Sequence, residues 1–354
     1  MRRPTVAYVV DPRFPGGTSA AVAQELRAVA GRVQPRLALI EGAMFRGREI
    51  APALAAAIED LGLETDWNPP QICADVVIVH NPVFLKFNRT LASRIVARRL
   101  IVVMHENPLR PGGAEAFDAG HCLGQIEAAS LCIERHLAPV SRWNRRTVTD
   151  WLAGPGAAPR RRGRWQVLAQ NWFNICDLPL TPPTPTPRDR RGRHSRPGFE
   201  KFPPLPVMDA CFPAHAGANM ILGADLYMAE GIDRPHWQML AFGSVPVADF
   251  LACIDFQIHF TAPTWRESFG RVLAEGIAAG KVAIADPDTA ATFEGGVIGA
   301  RADEVDAIVA RFVADPAAYA AQVARGQAWL EGRSAARFDA TFADILVPRE
   351  VRAA

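Results

Sequence analysis

Short apolar runs alternate with longer amphipathic stretches from the first residues of the chain onward. Residues 6–10 (Val-Ala-Tyr-Val-Val) form an unbroken run of strand length, and 37–40, 76–79 and 100–104 repeat it. Between them, 18–33, 49–61 and 90–99 read as helices, as do 127–135 and 142–152. The second half continues the alternation. Strands are expected at 220–222, 258–262 and 281–285, and helices at 247–253, 269–279, 305–312, 316–331 and 338–346. A strand that is apolar on both faces has both faces covered, the condition of a parallel sheet. Alternation of this kind predicts an α/β protein with doubly wound parallel sheets. Such sheets bind ligands beyond the carboxyl ends of their strands, so the residues just after each apolar run carry the candidate chemistry.

After the first run comes Asp11-Pro12-Arg13-Phe14-Pro15-Gly16-Gly17-Thr18, opening a helix. Gly16 and Gly17 let the backbone approach a ligand closely and leave amides free for phosphate or sugar oxygens. A structural turn is the equal alternative. His80 and His105 each directly follow an apolar run. An imidazole there can donate to, or accept from, a hydroxyl. For His80 the preferred reading is a satisfied boundary residue, for His105 a functional one.

The most specific stretch is Glu267-Ser268-Phe269-Gly270-Arg271-Val272-Leu273-Ala274-Glu275. Ser268 is a candidate N-cap, and 269–279 reads as a helix stopped by Gly280. Eight residues of one helix turn through about 800°, leaving two carboxylates roughly 80° apart on different faces. With Glu267 on the loop and Glu275 inside the helix, both reach one elongated ligand at different points. The amides of Phe269 and Gly270 then lie between them at the positive helix end, a diphosphate site.

This stretch resembles the Glu-x7-Glu motif of retaining GT-B glycosyltransferases, the "group 1" or family-four class. The resemblance extends through Glu275-Gly276-Ile277-Ala278-Ala279-Gly280-Lys281 and the acidic-glycine turn Phe293-Glu294-Gly295-Gly296. It covers the last third of the chain. It implies two Rossmann-like domains whose parallel sheets face each other across a cleft. The expected division is an acceptor-side domain at 1–175, a Pro/Arg-rich linker at 176–191, a donor domain at 192–335, and a final helix at 336–354 returning to the first domain. It also implies a nucleotide-sugar donor as substrate, no cofactor, no metal ion, and transfer with retention. Glu267 would hold donor-sugar hydroxyls and Glu275 the nucleotide ribose. His105 matches the family's strand-end histidine, a donor-sugar contact. Gly192-Arg193-His194-Ser195-Arg196-Pro197-Gly198-Phe199-Glu200-Lys201 is similar to the loop whose arginine and lysine hold the donor diphosphate, placing Arg193 and Lys201 there. Before it stand prolines at 183, 185 and 187, which cannot donate to a sheet ladder. They predict that the donor domain's first strand is short, displaced or missing. Trp265, in the motif loop, is a candidate acceptor contact. Trp237 reads as core and Asp255 as structural.

Composition narrows the picture without redirecting it. The chain has 354 residues, 49% hydrophobic and 21% charged, enough for two cores. The apolar runs are too short to span a membrane, and the first one is interrupted by Asp11 too early for a signal segment. Cysteines 73, 122, 132, 176, 211 and 253 lack zinc-site or redox spacing, which suits a reducing, cytoplasmic setting. Lys and Arg outnumber Asp and Glu by 22 to 15 in residues 1–175, whereas the remainder has 17 against 22. A positive first half suits an anionic acceptor or membrane surface. The basic stretch 88–99 (Arg89, Arg94, Arg98, Arg99), taken as a helix, is a candidate for peripheral contact at the inner membrane face, beside its plainer reading as a surface helix. Expected partners are therefore the donor and a glycan or lipid-linked acceptor. Nucleic acid is disfavoured, because the clusters Arg160-Arg161-Arg162-Gly163-Arg164 and Arg188-Asp189-Arg190-Arg191 lack interleaved aromatics. The alternatives are a GT-B nucleotide-sugar epimerase or a non-catalytic partner subunit. The absence of GxGxxG disfavours a dinucleotide-dependent oxidoreductase.

Overall fold

A computed structural model describes residues 4–14, 16–157 and 164–346. The chain divides into two compact units, residues up to 175 with those from Arg333 onward, and Cys176–Gly332. The cluster Arg160–Gly163, part of one basic run, and Pro15 lie outside the described residues.

In the first unit seven strands run parallel in the order β3-β2-β1-β4-β5-β6-β7. They are β1 (Thr5–Val10), β2 (Gln34–Leu39), β3 (Thr65–Trp67), β4 (Gln71–His80), β5 (Arg94–Met104), β6 (Ser130–Pro139) and β7 (Gln166–Val167). β1 is buried along its whole length, as an unbroken apolar run in a central strand must be. Helices α1 (Gly17–Val29), α2 (Pro52–Asp60), α3 (Ala119–Ala129) and α4 (Arg142–Ala153) connect the strands.

Two expected helices are overturned. Residues 94–99 are the first half of β5, paired in register with β4 from Gln71↔Arg94 to His80↔Val103. Its alternation of inward Ile95 and Ala97 with outward Arg94 and Arg98 has a period of two. No basic helix exists there to lie on a membrane. Arg99 is taken up by Glu134 at 2.7 Å and by the Ile345 carbonyl. Residues 130–135, expected as helix, begin β6, and the preceding helix stops at Ala129.

The second unit has six parallel strands in the order β10-β9-β8-β11-β12-β13. They are β8 (Arg190–His194), β9 (Ala218–Leu222), β10 (Gln238–Leu240), β11 (Phe256–His259), β12 (Val282–Ala285) and β13 (Ile298–Gly299). Its helices are α5 (Leu205–Cys211), α6 (Asp225–Ala229), α7 (Val247–Ala252), α8 (Arg271–Ala278), α9 (Pro287–Ala290), α10 (Val305–Ala314) and α11 (Pro316–Glu331). The final helix, α12 (Ala335–Leu346), belongs to the first unit. There Arg32 pairs with Asp339 at 2.5 Å, and Phe338 packs edge-on to Trp172.

The second unit's first strand, expected to be short, displaced or missing, is present and in register. β8 is central although its sequence is Arg-Arg-Gly-Arg-His. Arg191 is buried because Asp189 and Asp306 bind its guanidinium, each at 2.6 Å. Arg190 pairs with fully buried Asp255 at 2.7 Å. Gly192 is required by packing: a Cβ there would meet Ile254 Cγ2 at 2.7 Å and Phe250 Cζ at 2.9 Å. The proline tract before it lies in the second unit, where the Thr181 amide donates to the Ala278 carbonyl.

Candidate functional site

β11 ends at His259, and the loop that follows carries Glu267. The side chain of Glu267 meets Lys201 Nζ at 2.8 Å through Oε1 and 2.9 Å through Oε2. His259 Nε2 lies 3.1 Å from the same Oε1. Burial acts to raise the Glu267 carboxyl, but Lys201 and His259 outweigh it and hold it well below the usual carboxylate range. The His259 imidazole is lowered by burial, against the pull of Glu267. Glu267 is therefore an anion held ready at the carboxyl end of a central strand. Lys201 Nζ also sits 5.4 Å over the Trp265 ring.

Arg193 is fully buried and faces inward. It donates to the carbonyls of Phe260 at 3.2 Å and Lys201 at 2.5 Å, with its guanidinium 4.3 Å over the Phe202 ring. Burial pushes it down to about 10. It ties the backbone of the Lys201 segment to the loop after β11, and so sets where Lys201 starts from.

Glu275 lies inside α8, as the spacing argument expects. Its Oε2 is 2.9 Å from His194 Nε2 and its Oε1 3.2 Å from Arg271 Nε. Gln257 Nε2 lies 3.3 Å from His194 Nδ1. A Glu275 carboxylate only accepts, so the proton between them is donated by His194 Nε2. Burial acts to raise Glu275, and His194 and Arg271 bring it below its ordinary value.

The helix start differs from expectation by two residues. Its N-cap is Gly270, not Ser268, and no side chain caps it. Gly270 has φ 91°, a left-handed conformation that glycine adopts without strain. The free first-turn amides therefore begin at Arg271 rather than Phe269. Ser268 is buried, and the Phe269 ring packs 6.0 Å from Phe293 and 6.2 Å from Trp329. Phe269 anchors the helix start to the core.

In the first unit Gly16 caps α1 with φ 125°. A Cβ at Gly16 or Gly17 would meet nothing within 4 Å, so this turn is open to a ligand. Asp11 braces the loop by accepting from Arg13 Nε and Nη2, each at 2.9 Å, and from the Gly42 amide at 2.7 Å. His105 is half-buried beyond β5, and its Nε2 lies 3.1 Å from His80 Nδ1. His80 is more than a boundary residue. It is fully buried between His105 and Glu25, with its Nε2 3.3 Å from Glu25 Oε2.

The structure thus gathers Lys201, Glu267 and His259 into one group, with Arg193 behind it, and Glu275, His194 and Arg271 into a second. Gly16, Gly17 and His105 lie in the first unit. Among the described residues, one group could hold a metal by donor spacing, Asp189, His215 and Asp306. Arg191 already bridges its two carboxylates.

No protein-family model matches the chain, and no curated protein matches it. Solved structures do resemble it. HepE of Anabaena, in complex with UDP and glucose, shares 16% identity at TM-score 0.65, over 97% of this chain and 99% of HepE. Sucrose-phosphate synthase of Thermosynechococcus elongatus aligns over 99% of this chain and all of its own, at TM-score 0.62 and 13% identity. An alpha-glucosyltransferase bound to UDP and a 13-mer DNA aligns at TM-score 0.56 and 11% identity, over 97% of this chain and 99% of that one.

The chain has the GT-B fold. Within it, sequence reasoning missed two histidines and a glutamate. His194 is the last residue of β8 and His259 the last of β11. The strand-end rule that selected His80 and His105 selects both. Their place beside charged or mixed neighbours hid them. Glu25 carried no signal, being one acidic residue within an amphipathic helix.

Proposed function

We propose that this chain is a glycosyltransferase that takes a sugar from a nucleotide-sugar donor bound in the second unit. The observation that carries the reading is the pairing of Glu267 with Lys201 at the carboxyl end of β11, followed one turn into α8 by Glu275. A diphosphate competes for the Lys201 ammonium. As Lys201 turns to phosphate oxygens, Glu267 is released to accept from sugar hydroxyls while keeping His259. Glu275 accepts from the ribose hydroxyls in place of His194. The first-turn amides of α8 and Lys201 stabilise charge on the leaving diphosphate. Arg193 acts through the Lys201 backbone as a positioning residue; for His105 a donor-sugar contact is read from the family resemblance alone. Gly16 and Gly17 offer amides at an open turn. Retention and metal independence are read from the Glu-x7-Glu resemblance. UDP and glucose in HepE make UDP-sugars the first donors to test.

The acceptor side is read from the first unit. A cavity of about 410 Å³ is lined by Arg13, Arg46 and Arg89 together with Glu41 and Asn88. Neighbouring Met44 and Phe87 are exposed, Phe87 by 62%. Two cations without a carboxylate partner among the described residues, Arg46 and Arg89, beside exposed apolar side chains favour an anionic acceptor, glycan or lipid-linked. Peripheral membrane contact would then involve these side chains rather than the strand 94–99. No helix among the described residues is long and apolar enough to cross a membrane. The partner-subunit alternative drew its support from the proline tract, and an intact β8 removes that support. The test is release of nucleoside diphosphate from a panel of nucleotide sugars, with and without anionic glycan and lipid acceptors. Release that needs an acceptor and is lost in Glu267→Gln supports transfer. Release or isomerisation of the sugar without acceptor favours the epimerase reading.

A further inference from the structure

A buried chain of polar side chains runs behind His105, outside the donor groups described above. Trp172 Nε1 donates to Glu25 Oε1 at 3.0 Å. Glu25 Oε2 lies 3.3 Å from His80 Nε2, and His80 Nδ1 lies 3.1 Å from His105 Nε2. Both Glu25 and His80 are fully buried. Among the described residues neither Glu25 Oε2 nor His80 Nε2 has an aligned hydrogen-bond partner, and their 3.3 Å approach is the one polar contact that either makes. Three segments wall the chain in. Tyr8 of β1 stacks on the His80 ring at 5.7 Å, Trp172 stands edge-on to it at 6.2 Å, and Phe338 and Phe342 of α12 cover Trp172. The remaining nitrogen of the exposed end, His105 Nδ1, has no protein partner among the described residues.

The chain can be protonated in two senses. In one, Glu25 is a carboxylate accepting from His80 Nε2–H, and His80 Nδ1 accepts from His105 Nε2–H, which leaves His105 Nδ1 as a bare acceptor. In the other, Glu25 is a carboxylic acid that donates to His80 Nε2. His80 then donates from Nδ1 to His105 Nε2, and His105 carries its proton on Nδ1. The surroundings choose between them. No Lys or Arg among the described residues pairs with Glu25, and its one firm donor is a neutral indole. An anion there would be buried with neutral company, its lost hydration uncompensated. Burial raises the Glu25 carboxyl well above its ordinary value and, with the neighbouring imidazole, lowers His80. Burial also takes His105 down to about 3, so its tautomer, not its charge, is what the protein sets.

We infer that Glu25, acting through His80, fixes the tautomer of His105 so that His105 presents an Nδ1–H donor to its ligand. Glu25 and His80 are positioning residues; His105 makes the contact. The consequence rests on the glycosyl-transfer reading: the atom His105 meets is a lone pair of a sugar or phosphate oxygen rather than a hydroxyl proton. It selects ligands that offer an acceptor there.

The test is long-range 1H–15N correlation NMR of histidine-labelled protein without ligand, with His105 assigned from the His105→Gln spectrum. The expected result is a protonated Nδ1 and a bare Nε2 at His105. Glu25→Gln, whose amide donates to His80 as the acid does, keeps that pattern. Glu25→Leu and His80→Phe lose it. A wild-type His105 protonated on Nε2 overturns the inference, even if neither leucine nor phenylalanine variant folds. So does a Glu25→Leu protein that keeps the Nδ1–H signal. The measurement needs no donor, so its failure leaves glycosyl transfer standing. Conversely, absence of nucleotide binding would leave the tautomer result intact.

Discussion

Replacing Lys201 by Met removes the one ammonium that balances Glu267 and retains much of the side-chain volume. The two side chains are only 12% and 14% exposed, so the pair is screened little by water. Breaking such a pair by deleting one partner costs about 3–5 kcal/mol, because the other charge stays buried. Here His259 remains at 3.1 Å as a donor, so the lower end, about 3 kcal/mol, is expected. For a unit of this size, each kcal/mol shifts the melting temperature by roughly 2–4 °C. The pH dependence has a definite sign. The Glu267 carboxyl is depressed in the folded chain, so its contribution is present above the unfolded carboxylate value and is lost as pH falls through and below it. Lys201→Met should therefore lose most stability near neutral pH and little at acid pH. Scanning calorimetry across that range tests this. Lys201→Met/Glu267→Gln, which removes both charges, should recover much of the loss. Equal losses in the single and double variants, or a loss that does not depend on pH, would refute the reasoning.

Three further outcomes follow from the same geometry. Gly192→Ala places a methyl against Ile254 and Phe250 in the core and should destabilise by about 1–3 kcal/mol in denaturant melts, with the far-UV spectrum retained. Gly270→Ala forces a left-handed residue at the start of α8 and should cost about 1–2 kcal/mol while weakening nucleoside diphosphate binding, read by calorimetry. Glu25 titrates in the opposite sense to Glu267. Its raised carboxyl favours the fold below the unfolded carboxylate value, and this advantage is lost as pH rises toward the folded value, at up to about 1.4 kcal/mol per pH unit. Tyr8, His80 and Trp172 lie close to it and supply no counter-charge. Glu25→Gln should flatten that slope and gain on the wild type at alkaline pH in thermal melts.

Where the apolar run was unbroken, it was readable. Val6 to Val10, Val76 to Val79 and Leu100 to Met104 are apolar because both faces of a central parallel strand are covered, and all three are strands. The pattern misled where a strand leaves the core. The first halves of β5 and β6 mix Arg, Glu and Ala with β-branched residues, and helical propensity in isolation outweighed a period of two. β8 was illegible for another reason. Its Arg191 and Arg190 are met by Asp306 and Asp255, 115 and 65 residues away in sequence, which no local window contains. The candidate site was legible where a short motif fixes geometry, as with Glu267 on its loop and Glu275 in its helix. Its partners were not, because His194, His259 and Glu25 matter only through what the fold places beside them. The N-cap was misplaced because Ser268 has the better capping chemistry, whereas the chain turns at Gly270, the residue that tolerates φ 91°.

The central claim is a nucleoside diphosphate site built on Lys201, Glu267 and Glu275. Calorimetric titration of UDP, then of GDP and ADP, into the wild-type protein and into Glu275→Ala tests it most directly. Saturable binding of one nucleoside diphosphate is expected, weakened in Glu275→Ala, where the ribose loses its acceptor. No heat of binding for any of them at millimolar concentration, or equal affinity in the variant, would contradict it.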